Sequence, residues 1–407
     1  MHRLLALVGV LNWGAACSGS PASAPPAQPV RPGLEVLLTD SIHLVQGRRV
    51  GLVSNQGGVD ARGVHAVERL RSAGINLVAL FSPEHGFRGT AAPGEAVAST
   101  RDSASGLPIY SLYGRTSSPT DTMLAGIDLI LIDLPDVGAR YFTYIGTTVE
   151  VMKAAGRRNI PVVLLDRPNP IGAPVQGNVL DSAYRSFIGL LAVPMRHGMT
   201  LGELARLAQG DLGIKANLRV IPVSGWRRTQ TLDETGLPFV RPSPNLPALE
   251  SLFHYPGICL FEGTNLSVGR GSDAGFEQIG SPWLDTTAVL LRVRAAHLPG
   301  VMFSGVSFTP KSPGDGKYAD SLLYGIRLRV TDRSQYDPTV TAITLLAAIR
   351  SEQPDRFGWT PAQFDRLAGG PALRLALTRG ESPAVIAAGW QPAIAAFLDR
   401  RKAVLLY

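Results

Sequence analysis

Residues 77–89 read LVALFSPEHGFRG, an apolar run followed directly by a polar turn. The first five residues carry no polar side chain, which is typical of a strand buried on both faces in a parallel sheet. Pro83 fixes the turn that follows, and the turn contains Glu84 and His85. The stretch therefore predicts a buried strand whose carboxyl end presents a carboxylate and an imidazole.

The same arrangement occurs at three other places in the first half of the chain. Apolar runs end at polar residues within segments 50–55, 129–133 and 162–169. Helical patterns at residues 65–73 and 147–155, each closed by a glycine, lie between the runs. Apolar strands separated by helices predict an α/β fold with a parallel sheet covered on both faces.

Polar residues cluster where each predicted strand ends. Ligands of open α/β sheets bind outside the carboxyl ends of the strands, so these residues should converge on one rim. They are Asn55, Glu84, His85, Asp133, Asp136, Asp166, Arg167 and Asn169. No G-x-G-x-x-G or P-loop motif follows a strand, so we expect no nucleotide cofactor, and no other cofactor is indicated.

The pattern changes after about residue 190. Thr200 and Glu203 form a capping-box pattern that predicts a helix over residues 200–209. Further strands are predicted at 218–223, 257–262, 301–309 and 324–330, and helices at 339–350, 362–367 and 392–402. This mixture predicts an α+β second domain. We place the first domain at residues 33–190 and the second at 191–407.

The first 17 residues predict export. A short basic start, a short apolar stretch and small residues precede Cys17, which is typical of an export signal and too short for a membrane span. Cys17 after small residues resembles a bacterial lipoprotein box, although Gly14 stands where such boxes usually carry Leu. We expect an exported, periplasmic or cell-surface protein that meets the membrane only through a lipid on Cys17, or a plain secreted protein. Residues 18–32, rich in Ser, Pro and Ala, are predicted to form an unpacked tether.

The chain is basic, with a formal net charge of +7. Its Lys and Arg residues are scattered, which argues against a nucleic-acid partner and fits attraction to an anionic polymer equally well. Cys259 lies in an apolar run and is predicted to be a buried small hydrophobe.

Glu84 is the first candidate for chemistry. A carboxyl group just past a strand is partly desolvated, which favours its protonated form and suits a general acid. Glycines at 86 and 89 allow a tight loop against a ligand. The alternative is structural: Glu84 caps a helix or pairs with Arg88.

A second group of candidates follows the third strand. Asp133, Asp136, Arg140 and Tyr141 lie within nine residues, and Tyr144 is close behind. Carboxylates bind sugar hydroxyls, aromatic rings face the apolar sides of sugars, and arginine pairs with a substrate carboxylate. A structural Asp136–Arg140 pair at helix spacing explains the segment equally well.

Three weaker segments remain open between two interpretations. The turn at residues 166–170 either reaches a ligand or caps itself. His197 before the capped helix is more typical of a hydrogen-bonded structural group. The glycine-rich loop at residues 261–271 supplies a second carboxylate, Glu262, if it faces the first domain, and is otherwise a surface turn.

Metal and nucleophile chemistry is less supported. The histidines show no H-x-x-x-H spacing and there is no C-x-x-C, so no metal site is predicted. His85 with Asp133 and Asp166 is a weaker alternative for a divalent ion. No G-x-S-x-G or S-x-x-K motif is present, which argues against a serine acyl-enzyme.

Six stretches, taken in order, resemble one family. They are 50–55 (VGLVSN), 82–86 (SPEHG), 136–140 (DVGAR), 166–170 (DRPNP), 196–200 (RHGMT) and 262–265 (EGTN). On these residues the chain resembles the NamZ-type exo-β-N-acetylmuramidases, a glycoside hydrolase family, from about residue 33 to Tyr407. Two departures, at residues 134–135 and 273–275, bear on how the substrate is held and not on the fold.

The resemblance implies a Rossmann-like N-terminal domain and a smaller C-terminal domain with the site in the cleft between them. It also implies removal of β-linked N-acetylmuramic acid from the non-reducing ends of peptidoglycan fragments. Glu84 matches the family's glutamate and is our choice for the acid. The second group is Glu262, Asp133 or Asp136, or the substrate's own 2-acetamido group. Arg88 or Arg140 is the candidate for the lactyl carboxylate.

The substrate-binding candidates include members of all these segments. They are Asn55, His85, Arg88, Arg140, Tyr141, Tyr144, Asp166, Arg167, Asn169, His197, Thr264, Asn265 and Arg270. The expected partner is a peptidoglycan-derived oligosaccharide. Two competing functions are a non-catalytic wall-binding lipoprotein and a hydrolase of another acetylated or anionic hexosamine.

Overall fold

A computed structural model describes residues 28–92 and 94–407, and the predicted export signal with Cys17 lies outside them. The first half of the chain alternates helices and strands. In chain order they are α1 (Gly33–Asp40), β1 (Val50–Ser54), α2 (Ala66–Ser72), β2 (Leu77–Ser82), β3 (Thr100–Arg101), β4 (Pro108–Ser111), β5 (Leu129–Asp133), α3 (Tyr144–Arg157), β6 (Val162–Leu165), β7 (Gln176–Val179), β8 (Pro194–Arg196), α4 (Leu201–Asp211) and β9 (Leu218–Ile221).

The main sheet of the described residues has seven strands in the order β3-β4-β2-β1-β5-β6-β9. All neighbouring pairs are parallel except β3–β4. Ser54 at the end of β1 pairs in register with Asp133 at the end of β5, so the carboxyl ends of the central strands lie at one edge. The predicted α/β class with a parallel sheet is confirmed.

The sheet is buried on both faces, as its unbroken apolar runs predict. Leu52 and Leu80 face a core that includes residues of α1 and α2. Phe81 and Ile132 face a larger core on the opposite side. Burial on both faces removes the polar alternation that a one-sided sheet would show.

The second half combines helices with a small antiparallel sheet. Its elements are α5 (Leu249–Ile258), β10 (Gln278–Ser281), α6 (Thr286–Ala295), β11 (Val301–Phe308), β12 (Leu323–Val330), α7 (Pro338–Glu352), α8 (Pro361–Ala368), α9 (Ala372–Thr378) and α10 (Pro383–Arg401). The sheet order is β10-β12-β11. This is the predicted α+β second part.

The two halves share one apolar core. The core that contains Phe81 of the main sheet continues without a break to Phe253 of α5 and Ile343 of α7. Strands β7 and β8 form a separate antiparallel pair, and α10 packs against β7. The halves are therefore held in a fixed relation, and the groove between them has defined walls.

Two sequence predictions differ from the structure. Residues 257–262, predicted as a strand, are the end of α5 and a 3₁₀ helix over Cys259–Gly263. A short apolar run does not distinguish a buried strand from a buried helix, which is why the pattern misleads. The main sheet also extends beyond the predicted boundary at residue 190, because β9 pairs with β6.

The predicted tether ends earlier than residue 32. Val30 is buried against Val223 and Trp226, and Arg31 forms an isolated antiparallel bridge with Ser224. Val30 supplies an apolar side chain and Arg31 an extended backbone, so this end of the predicted tether packs against the fold. Among the described residues, no helix is both long and apolar enough to cross a membrane.

Candidate active site

A cavity of about 180 Å³ lies between the two halves, at the carboxyl end of β2. Both halves contribute to its lining. The lining residues are Glu84, His85, Tyr141, Phe142, Thr143, Ile188, Ser243, Asn245, Leu246, Tyr255, Cys259, Glu262, Arg270, Phe276 and Leu367. We call this cavity the cleft. Two predicted carboxylates, Glu84 and Glu262, both line it.

Glu84 is held by two hydrogen bonds. Its Oε1 accepts from the backbone N–H of Gly94 at 3.0 Å, and its Oε2 accepts from the hydroxyl of Thr143 at 2.8 Å. The side chain is buried, with 9% of its surface exposed. A hydroxyl both donates and accepts, so Thr143 can serve the carboxylate and, after its proton turns away, the carboxylic acid.

The backbone after Glu84 turns sharply. His85 has φ +68° and Gly86 has φ +75°, both in the left-handed region that non-glycine residues rarely adopt. His85 is kept there by a 2.9 Å hydrogen bond between its Nδ1 and the carbonyl of Ala91. The imidazole therefore stabilises the turn that presents Glu84 and lines the cleft with the rest of its ring.

Tyr144 and Asn55 form the support behind Glu84. Asn55 Nδ2 donates to the Tyr144 hydroxyl at 2.7 Å, and that hydroxyl lies 3.2 Å from the carbonyl of Pro242. Burial raises the pKa of Tyr144, so it stays a neutral hydrogen-bonding group. Tyr113 is a further neighbour of Glu84: burial and the Glu84 carboxylate raise the pKa of Tyr113 to about 12.

Glu262 and Arg270, from the second half of the chain, form an ion pair that also lines the cleft. Arg270 Nε donates to Glu262 Oε1 at 2.7 Å, and the second guanidinium nitrogen also donates to that oxygen. Burial by itself would lower the pKa of Arg270, but the Glu262 carboxylate outweighs burial and the pKa is raised. The pair thus brings a fixed negative and a fixed positive charge into the cleft.

An aromatic wall joins the two halves. The rings of Tyr141 and Tyr255 meet edge to face at 6.1 Å, and those of Tyr255 and Phe276 at 4.8 Å. The Tyr141 hydroxyl donates to the carbonyl of Pro256 at 3.0 Å, which fixes the ring. Aromatic surfaces beside carboxylates suit a sugar ring, which has polar edges and apolar faces.

Several predicted site residues are used by the framework instead. Asp133 forms a bidentate ion pair with Arg167, at 2.6 and 2.9 Å. Asp136 accepts from the backbone N–H of Gly138 at 2.6 Å and lies 3.4 Å from His197 Nε2. Since neither lines the cleft, the structure does not bring Asp133 or Asp136 to Glu84 as a second catalytic group.

Two residues of the turn at 166–170 also have structural partners. Asp166 accepts from the hydroxyl of Thr200 at 2.6 Å and the N–H of Gly202 at 2.8 Å. Asn169 donates to the carbonyl of Met199 at 2.9 Å. The turn therefore anchors the start of α4, the structural interpretation that the sequence left open.

Neither predicted arginine for the lactyl carboxylate lies in the cleft. Arg140 is buried and donates to the carbonyls of Asn178, Val193 and Leu367. Arg88 pairs with Asp102 at 3.2 Å, and two thirds of its side chain is exposed. Arg270 lines the cleft instead. The sequence favoured the other two arginines because it could not show which loops face each other.

A larger groove of about 820 Å³ lies on the other side of the Glu84 turn, lined by Arg88, Phe87 and His65 among others. Its acidic residues are Glu68 and Asp102, and Asp102 is tied to Arg88 and Ser105. Size alone would favour this groove. The cleft combines two carboxylates, an arginine and aromatic rings, and we therefore take it as the candidate site.

In the loop at residues 261–271, some residues line the cleft and others hold the loop in shape. Glu262 and Arg270 line the cleft, whereas Thr264 donates to the carbonyl of Phe261 and Asn265 pairs with Gly358 and Arg356. Asn265 and Thr264 therefore shape the loop. They do not line the cleft.

Sequence reasoning missed several residues of the cleft. Thr143 was hidden because an N-cap threonine normally bonds its own helix. Tyr255 was hidden because α5 was not predicted, and Phe276 follows a loop without a motif. No group of three or more His, Cys, Asp or Glu residues suited to a metal occurs in the part of the chain that the structure describes.

The parallel sheet, the shared core and a cleft with opposed charges and an aromatic wall define a two-part α/β enzyme with a pocket of monosaccharide size. Two family models together match most of the chain. The N-terminal model of the exo-β-N-acetylmuramidase NamZ matches residues 50–250, and the C-terminal model matches residues 253–407. The chain belongs to this family.

Individual relatives agree with the family models. The chain is 40% identical, over 98% of both sequences, to the peptidoglycan β-N-acetylmuramidase NamZ of Bacillus subtilis. Two crystal structures of DUF1343 family proteins from Bacteroides fragilis match its fold with TM-scores of 0.85 and 0.76. Each is 31% identical and covers 93% of this chain and 99% of its own.

Proposed function

We propose that this protein is an exo-acting β-N-acetylmuramidase that releases N-acetylmuramic acid from the non-reducing ends of peptidoglycan fragments. The observation that carries the proposal is its 40% identity, over almost the whole chain, to a peptidoglycan β-N-acetylmuramidase. A cleft of about 180 Å³ lined by a carboxylate from each half of the chain supports it, because such a space suits one sugar residue at a chain end.

Glu84 is the proposed general acid. It lies in the cleft, is nine-tenths buried, and contacts a hydroxyl that can follow its change of protonation state. In the reaction, the proton of the Glu84 carboxyl group passes to the glycosidic oxygen as the bond to the anomeric carbon breaks. The leaving sugar then carries that proton on its new hydroxyl group.

Glu262 is the proposed second carboxylate. Of the three candidates from the sequence, it is the one whose side chain lines the cleft with Glu84. There it stabilises the positive charge that develops at the anomeric carbon, or activates a water molecule. The 2-acetamido group of the substrate is an alternative nucleophile, and Glu262 would then orient that group.

Arg270 is the proposed partner of the lactyl carboxylate. Its guanidinium has five N–H donors, and the contacts with Glu262 leave others for an incoming carboxylate. The lactyl group distinguishes N-acetylmuramic acid from other hexosamines. A cationic group in an otherwise acidic and aromatic cleft therefore favours the muramic substrate over N-acetylglucosamine.

The cellular setting is part of the proposal. The basic and apolar start of the sequence and the small residues before Cys17 support export with a lipid on that cysteine. A role in cell-wall turnover or recycling follows from the substrate. Labelling with a radioactive fatty acid, compared between the wild type and Cys17→Ser, tests the anchor.

The decisive experiment measures chromophore release from an aryl β-N-acetylmuraminide. We expect turnover by the wild type and a fall in kcat of at least about a hundredfold in Glu84→Gln, the scale of general acid catalysis. Glu68→Gln is the matched control, because Glu68 is exposed and outside the cleft. The same panel with an aryl glycoside lacking the lactyl group tests the sugar preference.

Each outcome has a distinct meaning. A folded wild type without turnover would reject the proposed function and favour wall binding or another sugar. Turnover that survives Glu84→Gln would keep the enzyme and reject Glu84 as the acid. Equal rates with and without the lactyl group would reject the proposed role of Arg270.

A further inference from the structure

Lys317 lies in the segment between β11 and β12 and reaches under the cleft wall. Its ammonium nitrogen lies near four backbone carbonyl oxygens of the Glu262 loop. The distances are 3.4 Å to Phe261, 3.0 Å to Glu262, 2.7 Å to Thr264 and 3.0 Å to Leu266. We call these four oxygens the carbonyl cage.

Two of the four cage carbonyls, those of Phe261 and Glu262, lie at the end of the 3₁₀ helix Cys259–Gly263, and those of Thr264 and Leu266 follow it. The last carbonyls of a helix have no partner within the helix and need donors from elsewhere. Lys317 is such a donor, in addition to the Thr264 N–H and hydroxyl that also donate to Phe261, and a positive charge at a helix end of this polarity is favourable. The neighbouring Tyr318 hydroxyl donates to the carbonyl of Asn265 at 2.6 Å, so the two residues hold the loop together.

Lys317 places a charged ammonium group among backbone carbonyls. Among the described residues it forms no salt bridge, and the hydrogen-bond partners of its ammonium are backbone carbonyls. Burial lowers its pKa, while the charges of Asp315 and Glu262 oppose that change. Removing an ammonium group from water is unfavourable unless its surroundings compensate. A site that keeps one there has the character of a cation site filled by a side chain.

The cage also determines where the cleft residues stand. Glu262 contributes one of the four carbonyls, and its side chain forms the ion pair with Arg270 in the cleft. At the other end of the loop, the carbonyl of Gly271 accepts from the N–H of Lys311 at 2.7 Å. The segment at residues 311–318 therefore forms hydrogen bonds with both ends of the loop that carries the Glu262–Arg270 ion pair.

We propose that Lys317 is a positioning residue of the reaction: its ammonium fills a carbonyl cage and thereby fixes the Glu262 carboxylate and the Arg270 guanidinium in the cleft. The proposal rests on the proposed function, since it assigns the cage a role in that turnover. Lys317 does not line the cleft and does not touch substrate. Its effect passes through the backbone of the loop.

The test compares Lys317→Ala with added cations. We expect kcat on the aryl β-N-acetylmuraminide to fall about tenfold to a hundredfold, the effect of a small misplacement of a catalytic group. Ammonium, methylammonium or ethylammonium chloride should restore part of the activity, because these ions fit the vacated cage. Choline chloride at equal ionic strength is the control salt, since its cation is too large and has no N–H donor.

Two further variants separate positioning from general stability. Lys311→Ala lies in the same segment, and Lys311 is exposed and pairs with the exposed Asp320, so we expect normal kcat and no response to ammonium. Lys317→Arg retains the charge and should keep more activity than Lys317→Ala. A folded Lys317→Ala with the kcat of the wild type, or a loss that no small ammonium ion restores, would overturn the proposal.

The cage is also measurable without turnover. In Lys317→Ala, ammonium should raise the melting temperature more than choline does, whereas the wild type and Lys311→Ala should respond alike to both salts. Absence of this difference would overturn the cage itself. If the wild type hydrolyses nothing, the proposed function fails, and the melting experiment still decides whether a cation fills the cage.

Discussion

The Thr143 hydroxyl bonds a residue of the candidate site and not its own helix. It is the N-cap of α3, where a threonine normally accepts a hydrogen bond from its own helix. In this structure it makes no such bond, and its hydroxyl donates to Glu84 at 2.8 Å. The helix start thus gives up a stabilising contact, and the carboxylate gains a partner.

Replacing Thr143 by valine should impair chemistry more than binding. Valine keeps the branched shape but removes the hydroxyl, so Glu84 loses a hydrogen bond of the kind that contributes roughly 1.5–3 kcal/mol to a charged group. We expect kcat to fall about tenfold or more with little change in KM, and Thr143→Ser to restore it to within about threefold. Steady-state kinetics of the three proteins decide this; equal kcat values would show that the contact does not matter.

At the residue scale, the sequence identified candidate residues but did not show their neighbours. Glu84 became a candidate because a carboxyl group just past a buried strand is partly desolvated, although helix capping or pairing with Arg88 explained it equally well. Arg140 looked equally suited to a substrate carboxylate, yet it binds three backbone carbonyls away from the cleft. Residue type and spacing along the chain do not reveal which carbonyls a folded chain leaves without donors.

Asp166 connects elements of both halves. It follows β6, accepts hydrogen bonds from Thr200 and Gly202 at the start of α4, and accepts another from the Tyr407 hydroxyl at 2.8 Å. Burial raises the pKa of Asp166 to about 6 despite these donors. The folded protein therefore holds a proton on this carboxyl group more firmly than the unfolded chain does.

This difference predicts how stability changes with pH. Between about pH 4 and about pH 6 the folded state binds more protons at Asp166 than the unfolded state, so the free energy of unfolding falls as pH rises. For a pKa raised from 3.8 to about 6, the total is on the order of 3 kcal/mol and is complete above about pH 6.

Asp166→Asn should remove this contribution, because an amide keeps the shape without titrating. Urea unfolding of both proteins at several values from about pH 4 to about pH 7 measures it. The stability of the wild type relative to the variant should decrease across that range. Curves that stay parallel would contradict a raised pKa.

The central strands of the main sheet were predictable from the sequence, whereas the edge strands β3 and β4 and the helix α5 were not. Residues 50–54 and 162–165 are strands within the predicted segments 50–55 and 162–169, because burial on both faces leaves an unbroken apolar run between polar ends. The apolar run around Cys259 has the same composition but continues a helix. Strand β9 ends the sheet with a partly exposed pattern, so its membership depends on pairing with β6 and not on its own sequence.

For the whole molecule, the shared core matters more than the division into halves. Phe81 of the main sheet and Phe253 of α5 belong to one continuous cluster. A cleft whose walls pack on a common core has little freedom to open by a hinge. The two charged walls therefore keep their spacing when the cleft is empty, which favours a preorganised site.

A common core also predicts how the protein unfolds. Neither half can lose its packing without exposing the other, so we expect one cooperative thermal transition for the whole chain. Differential scanning calorimetry tests this, and the calorimetric and van't Hoff enthalpies should agree. Two resolved transitions, one for each half, would contradict a shared core.

The join between the two family models has a consequence for inheritance. The models meet between residues 250 and 253, inside α5, whose residues run from Leu249 to Ile258. A gene broken at that point would encode a piece with the first turn of a helix and a piece lacking its start, each with an uncovered apolar face. The two halves are thus not interchangeable modules, and we expect related genes to encode both halves in a single reading frame.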